Sequence, residues 1–129
     1  MFFYFYYRTI QIDLMVQMPS KEFASKRNAL LKELMKSDEL TEELQREIID
    51  VYGTRGRKAI EAIKGGRVFK RGDRWFVRGR TEEYEVVRTF CSCRDYALNI
   101  VTEKAGVDMC YHALAKTICE LLNAHYLTE

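Results

Sequence analysis

Over residues 8–18 the apolar positions alternate with polar ones. Ile10, Ile12, Leu14, Val16 and Met18 share one side, and Thr9, Gln11, Asp13 and Gln17 share the other. Period two with branched side chains predicts a strand with one buried face. Met15 is the exception on the polar side. Pro19 ends the strand, and Ser20 is a helix N-cap residue. The period then lengthens: Phe23, Arg27, Leu30, Leu31, Leu34 and Met35 follow helical spacing to about Lys36, and Ser37-Asp38-Glu39 breaks it. Thr41 is expected to cap a second helix, with Glu42 and Glu43 in the turn where the helix dipole favours acid. Leu44, Ile48 and Val51 line its apolar side, and Gly53 suits the position just past its end. Thr54 is expected to cap a third, short helix that turns Ala59, Ile60 and Ile63 inward and stops at Gly65-Gly66.

Beyond Gly66 the period returns to two. Arg67–Lys70 and Trp75–Arg78 read as strands joined by Arg71-Gly72-Asp73-Arg74, where Gly72 supplies the positive φ of a tight turn. Tyr84–Phe90 reads as a third strand leading straight into Cys91. Gly106–Met109 is loop-like and Ala113–Leu122 is helical. These elements predict an α+β fold: an N-terminal strand and helices, then a β-hairpin or three-strand sheet followed by a C-terminal helix. The boundary candidate is Gly53-Thr54, dividing the chain into 1–53 and 54–129.

The cysteines change this picture most. Cys91-Ser92-Cys93 is followed, after sixteen residues, by Cys110-Tyr111-His112. Residues i and i+2 of an extended strand point the same way, so Cys91 and Cys93 can present two thiolates together. On a helix such residues lie about 200° apart. Cys110 must therefore sit at or before a helix start, with His112 in the first turn. Three thiolates and one imidazole make a closed tetrahedral set, which suits one structural zinc ion and leaves no position for a substrate water. Such a site has a formal charge of −1, which Arg88 and Arg94 are placed to offset. Cys119 lies about 10.5 Å further along the helix and is too far to join. His125 falls on the stripe of Leu114, Ile118 and Leu121 and reads as a core residue.

This pattern, after a β-hairpin and before a helix, resembles the SWIM zinc finger. Trp75-Phe76-Val77, Tyr84-Glu85-Val86-Val87 and Ala113-Leu114-Ala115 look like its β-β-α frame, and the match covers roughly residues 67–125. The resemblance implies a module for nucleic-acid and protein contacts. It is nearest the small stand-alone type, which includes partners of RecA/RadA-family recombinase paralogues in recombination and repair. Residues 1–53 match no family.

Charge adds a second candidate surface. The net charge is +2, yet residues 55–80 carry ten basic side chains (Arg55, Arg57, Lys58, Lys64, Arg67, Lys70, Arg71, Arg74, Arg78 and Arg80) against Glu61 and Asp73. Both flanks are acidic. Such a block suits a phosphate backbone, with Arg favouring forked contacts. Arg55, Arg57, Lys58, Arg67, Lys70, Arg71, Arg74, Arg78 and Arg80 are the nucleic-acid candidates, and Arg55-Gly56-Arg57-Lys58 marks a helix start that suits an anion. Phe69 and Phe76 are expected on the buried face of the sheet, and Trp75 is the candidate ring to stack on an unpaired base; the competing reading is a solvated basic surface with these aromatics in the core. The aromatic run Phe2, Phe3, Tyr4, Phe5, Tyr6 and Tyr7 cannot all point inward from one strand, so it is expected to meet a partner protein or a second copy of the chain. The competing reading is a central strand buried on both faces.

No stretch reaches the ~18 apolar residues of a membrane span, and the N-terminus lacks the pattern of a signal peptide. The expected protein is cytoplasmic and non-enzymatic: a zinc-stabilised adaptor for DNA, single-stranded or duplex, and for a protein. A purely protein-binding module is the alternative, and a zinc hydrolase is disfavoured by the closed ligand set.

Overall fold

The computed structural model describes residues 20–122 and the backbone of 127–128. The expected strand over 8–18, the aromatic segment Phe2–Tyr7 and His125 lie outside the described residues. Helix α1 (Lys21–Lys36) begins where the Ser20 hydroxyl accepts the Phe23 N–H at 3.0 Å. Helix α2 (Glu42–Tyr52) begins where Thr41 Oγ1 accepts the Leu44 N–H at 3.1 Å. Each cap satisfies one amide that the first helical turn leaves without a partner.

Gly53 then does two jobs. At φ 64° it ends α2, donating its N–H to the Ile49 carbonyl, and it is also the residue from which α3 (Thr54–Lys64) starts. Thr54 is thus the first residue of α3 and not its cap, and no side chain caps that helix. A single left-handed residue between two helices leaves no room for a separate capping residue. The helices also touch closely: a Cβ on Gly56 would lie 2.7 Å from the Ile48 carbonyl oxygen.

The sheet is built from β1 (Val68–Arg71), β2 (Arg74–Arg78), β3 (Glu83–Val87), β4 (Phe90–Cys91) and β5 (Leu127–Thr128), in the order β4-β3-β2-β1-β5. The pairings are antiparallel except β1–β5. The third strand does not run on into Cys91 as expected. It ends at Val87, reverses through Arg88 at φ 58°, and returns as β4, pairing Val86 with Cys91. A two-residue reversal needs a left-handed residue, and an arginine there gives no sign of it in the sequence.

Register decides the faces. Val68, Trp75, Val77 and Val86 point into the core, where Trp75 is 7% exposed. Phe69 and Phe76 pair with each other on the opposite face, where Phe69 is 2% exposed and Phe76 half-buried. Arginines cover them: the Arg78 guanidinium lies 4.2 Å from the Phe69 ring, and those of Arg71 and Arg74 lie 4.6 and 5.3 Å from the Phe76 ring. Trp75 is thus a core residue and not a ring open to a base. Phe69 is buried as expected, with Phe76 half-buried beside it, but on the opposite face under arginine, because successive strand residues point to opposite faces.

Helix α4 (Tyr111–Leu122) packs on α3, α1 and the inner face of the sheet, and is buried on most sides. One core runs from Leu30 and Leu34 through Ile48, Ile60 and Val77 to Leu114, Ile118 and Leu122, on both sides of Gly53. The fold is α+β. No described helix is long and apolar enough to cross a membrane.

Candidate metal centre

Three elements converge at the edge of this core. Cys91 lies on β4 and is turned inward by the pairing with Val86. Cys93 follows at the start of a short helical segment, which widens through Tyr96–Ile100 into a turn closed by the Val101 N–H on the Tyr96 carbonyl. Cys110 immediately precedes α4, its carbonyl accepting the Leu114 N–H, and His112 sits in the first turn of that helix. The expected placement of Cys110 and His112 is thus observed.

All four side chains are buried, none of the cysteines is in a disulfide, and the four donor atoms lie within 4.8 Å of one another. His112 Nδ1 is 3.7 Å from Cys91 Sγ. Donors around a zinc-sized ion in a tetrahedron would be separated by about 3.5–3.8 Å, so the cluster is close to the dimensions of one ion. The other ring nitrogen, His112 Nε2, is buried with no hydrogen-bond partner among the described residues. An imidazole with no hydrogen bond outside the cluster is costly to bury, and metal coordination is the interaction this donor set offers it.

The sulfurs carry the same message. Cys93 is pulled well below the ordinary thiol range by hydrogen bonds from Cys110 and Cys91. Cys110 is pushed well above it by its hydrogen bonds with Cys91 and Cys93 and by burial. At Cys91 the hydrogen bond with Cys110 pulls downward, but the one with Cys93 and burial outweigh it, leaving the thiol at about 11. One thiolate is thus stabilised at the expense of its neighbours. Like charges this close cannot all form unless a cation sits among them. Backbone amides assist: Tyr96 N–H donates to Cys93 Sγ at 3.3 Å, and Ala113 N–H to Cys110 Sγ at 3.5 Å. Cys119 is buried away from the cluster, and burial pushes its thiol up to about 12.

Several surrounding residues gave no signal in the sequence. Tyr84 and Tyr111 flank the His112 ring, with centroids at 4.6 and 4.0 Å. Gly79 approaches so closely that a Cβ there would lie 3.4 Å from His112 Nε2. Asp108, just before Cys110, accepts from the Tyr52 hydroxyl at 2.8 Å and from Arg27 at 3.2 Å, tying the loop ahead of Cys110 to α2 and α1. Burial, then Asp108, raises the Tyr52 phenol far above its ordinary value. Asp95 accepts a two-pronged contact from Arg55, both bonds 2.8 Å, and another from Asn99.

The basic candidates scatter. Arg55 is held by Asp95; that bond, and more weakly the sulfurs of Cys110 and Cys93, raise its pKa, so Arg55 contributes positive charge at the cluster. Of the two arginines expected there, Arg94 lines a recess beside Cys93 and His112, whereas the Arg88 backbone carbonyl accepts from buried Lys116 at 3.2 Å. On the hairpin, Arg71 pairs with Glu83, Arg74 makes two bonds of 2.9 and 2.8 Å to Glu85, and Arg78 lies 4.0 Å from Glu83. Lys70 Nζ lies over the Trp75 ring at 5.4 Å. Arg57 is exposed on α3. Lys58, Arg67 and Arg80 line a second recess, which adjoins the one at the cluster.

No protein-family model and no solved structure matches the chain. An uncharacterised protein of Archaeoglobus fulgidus is 33% identical over 79 residues, which are 61% of this chain and 66% of that protein. The chain thus spans just under two thirds of that relative's length.

Proposed function

We propose that the chain is a non-enzymatic, zinc-stabilised adaptor of the SWIM type that binds nucleic acid and a partner protein. The observation that carries this reading is the Cys91–Cys93–Cys110–His112 cluster: four buried donors around one point. Thiolates with imidazole favour zinc over magnesium, calcium or manganese, and four protein donors close its coordination sphere. Zinc held this way joins β4, the turn after it and α4, and supplies no reacting water. Function then belongs to the surfaces that the site braces. The basic residues between 55 and 80 favour nucleic acid, and the resemblance favours recombination or repair beside a RecA/RadA-family protein. Phe2–Tyr7 is the proposed partner surface.

The test is binding of the zinc-loaded chain to single-stranded and duplex DNA over a range of salt. A nucleic-acid adaptor gives log K falling linearly with log salt. Undetectable or salt-insensitive binding to both forms rejects that half of the proposal.

A second reading, a module that binds protein alone, is favoured by one feature. Val87, Phe90, Leu98 and Val101, near the β3–β4 turn and the helical turn after it, are each more than half exposed. Co-purification of the same protein with and without nuclease treatment, together with absent DNA binding, favours this reading.

A further inference from the structure

Two recesses meet beside the metal cluster. One, of about 400 Å³, is lined in part by Arg55, Lys58, Arg94 and Tyr111; the other, of about 350 Å³, by Lys58, Arg67, Arg80 and Tyr111. Lys58 and Tyr111 belong to both, so the recesses form one groove. Its cations come from α3, the segment before β1, the β2–β3 turn and the start of the turn after Cys93. Residues far apart in sequence thus converge on one concavity.

The groove has five cationic side chains against two carboxylates, Asp95 and Glu61. Asp95 is already committed to Arg55. Lys58, Arg67, Arg80 and Arg94 have no carboxylate within ion-pairing distance among the described residues. Lys58 Nζ lies 5.9 Å from the centre of the Tyr111 ring, a weak contact it can leave for a stronger one. Thr54 is at the margin of the larger recess, where α3 begins without a side-chain cap. The hairpin arginines differ, since Arg71, Arg74 and Arg78 face Glu83 and Glu85.

We infer that this groove is the track for the phosphodiester backbone of a nucleic-acid strand. One phosphate sits between Lys58 and Arg94 and the next among Lys58, Arg67 and Arg80. The basic hairpin face is not the binding surface. Two linked recesses sharing one lysine suit a run of anions better than a single small ion, and positive charge in a concave wall focuses the field on such a ligand. This inference rests on the nucleic-acid reading above and places it on specific residues.

The test compares two double variants of the zinc-loaded full chain, Lys58→Glu/Arg80→Glu and Arg74→Gln/Arg78→Gln, by fluorescence anisotropy with a labelled single-stranded 20-mer and its duplex. Zinc content and circular dichroism check the fold, and Lys58→Gln/Arg80→Gln replaces the first variant if it does not fold. The groove variant is expected to weaken binding at least about tenfold and to flatten the salt slope by about one to two. The hairpin variant is expected to change affinity less than about threefold. A groove effect on either DNA form supports the track, and the arm that shows it identifies the form. Parent-like binding by the groove variant overturns the inference; if the hairpin variant then loses binding, the nucleic-acid reading survives with its site moved to the hairpin. No binding by the parent ends both. Polyglutamate of equal length competing as well as the oligonucleotide also overturns the phosphodiester assignment.

Discussion

The hairpin face and the groove beside the metal cluster are both rich in arginine and lysine, but they use that charge differently. On the hairpin, cross-strand register sets Arg78 opposite Glu83 and Phe76 opposite Glu85, which leaves Arg74, Arg71 and Arg78 to close onto two glutamates and two phenylalanine rings. In the groove, Lys58, Arg67, Arg80 and Arg94 arrive from four segments; of its two acids among the described residues, Asp95 is already held by Arg55 and Asn99, and Glu61 forms no ion pair with any of the four. Density of basic residues along the chain is therefore a poor guide to charge available for a ligand. What matters is which acids the fold puts opposite.

Loss of the four-donor cluster should break this comparison most sharply, because the groove lies beside the cluster and the hairpin arginines do not. Structural zinc contributes about 10–16 kcal/mol of apparent binding free energy in small fingers, comparable to the ~5–15 kcal/mol that holds a whole domain. Cys93→Ser or His112→Ala is expected to lose the metal and unfold the segment from β4 to the start of α4. Hydrogen exchange should show protection lost there before it is lost in β1 and β2.

Asp108 gives the next largest effect. Asp108→Ala removes the acceptor for the Tyr52 hydroxyl and for Arg27, and should lower stability by about 2 kcal/mol. Urea denaturation at saturating zinc measures this, and zinc should still bind with unchanged stoichiometry.

The smallest effect belongs to the hairpin. Glu85 is held below its ordinary value, first by its hydrogen bond from Arg74. A depressed carboxylate contributes stability above its unfolded pKa of about 4.3 and loses it as pH falls through the folded value. Glu85→Gln should therefore lower the neutral-pH melting temperature slightly, leave melting at pH 3 closer to that of the parent, and so flatten the acid-side loss of stability below about pH 4.3. Thermal melts at pH 3 and pH 7 check both points.

Much of this molecule is legible in the order of its residues where the signals are local. Ser20 and Thr41 cap the helices as their hydroxyls suggest, and Gly53 ends α2. Spacing alone puts Cys110 before α4 and His112 in its first turn. What is hidden depends on pairing between distant segments. The reversal at Arg88 uses a left-handed residue that is not glycine, so the third strand reads as continuous. The side of the sheet taken by Trp75 depends on where α4 packs, and both strand faces carry aromatics. Asp108, Gly79 and Tyr84 look ordinary in sequence because their partners, Tyr52, Arg27 and His112, are not their sequence neighbours. The groove is hidden for the same reason: Arg94 lies outside the basic block and Arg80 at its edge.

Cobalt substitution tests the metal site most directly. The account predicts that the full chain binds one equivalent of cobalt with the absorption of a tetrahedral ion in a three-thiolate, one-imidazole field, displaced stoichiometrically by zinc and absent in Cys93→Ser. An open or five-coordinate spectrum that responds to added small anions, or one equivalent retained by Cys93→Ser with His112→Ala, would contradict it.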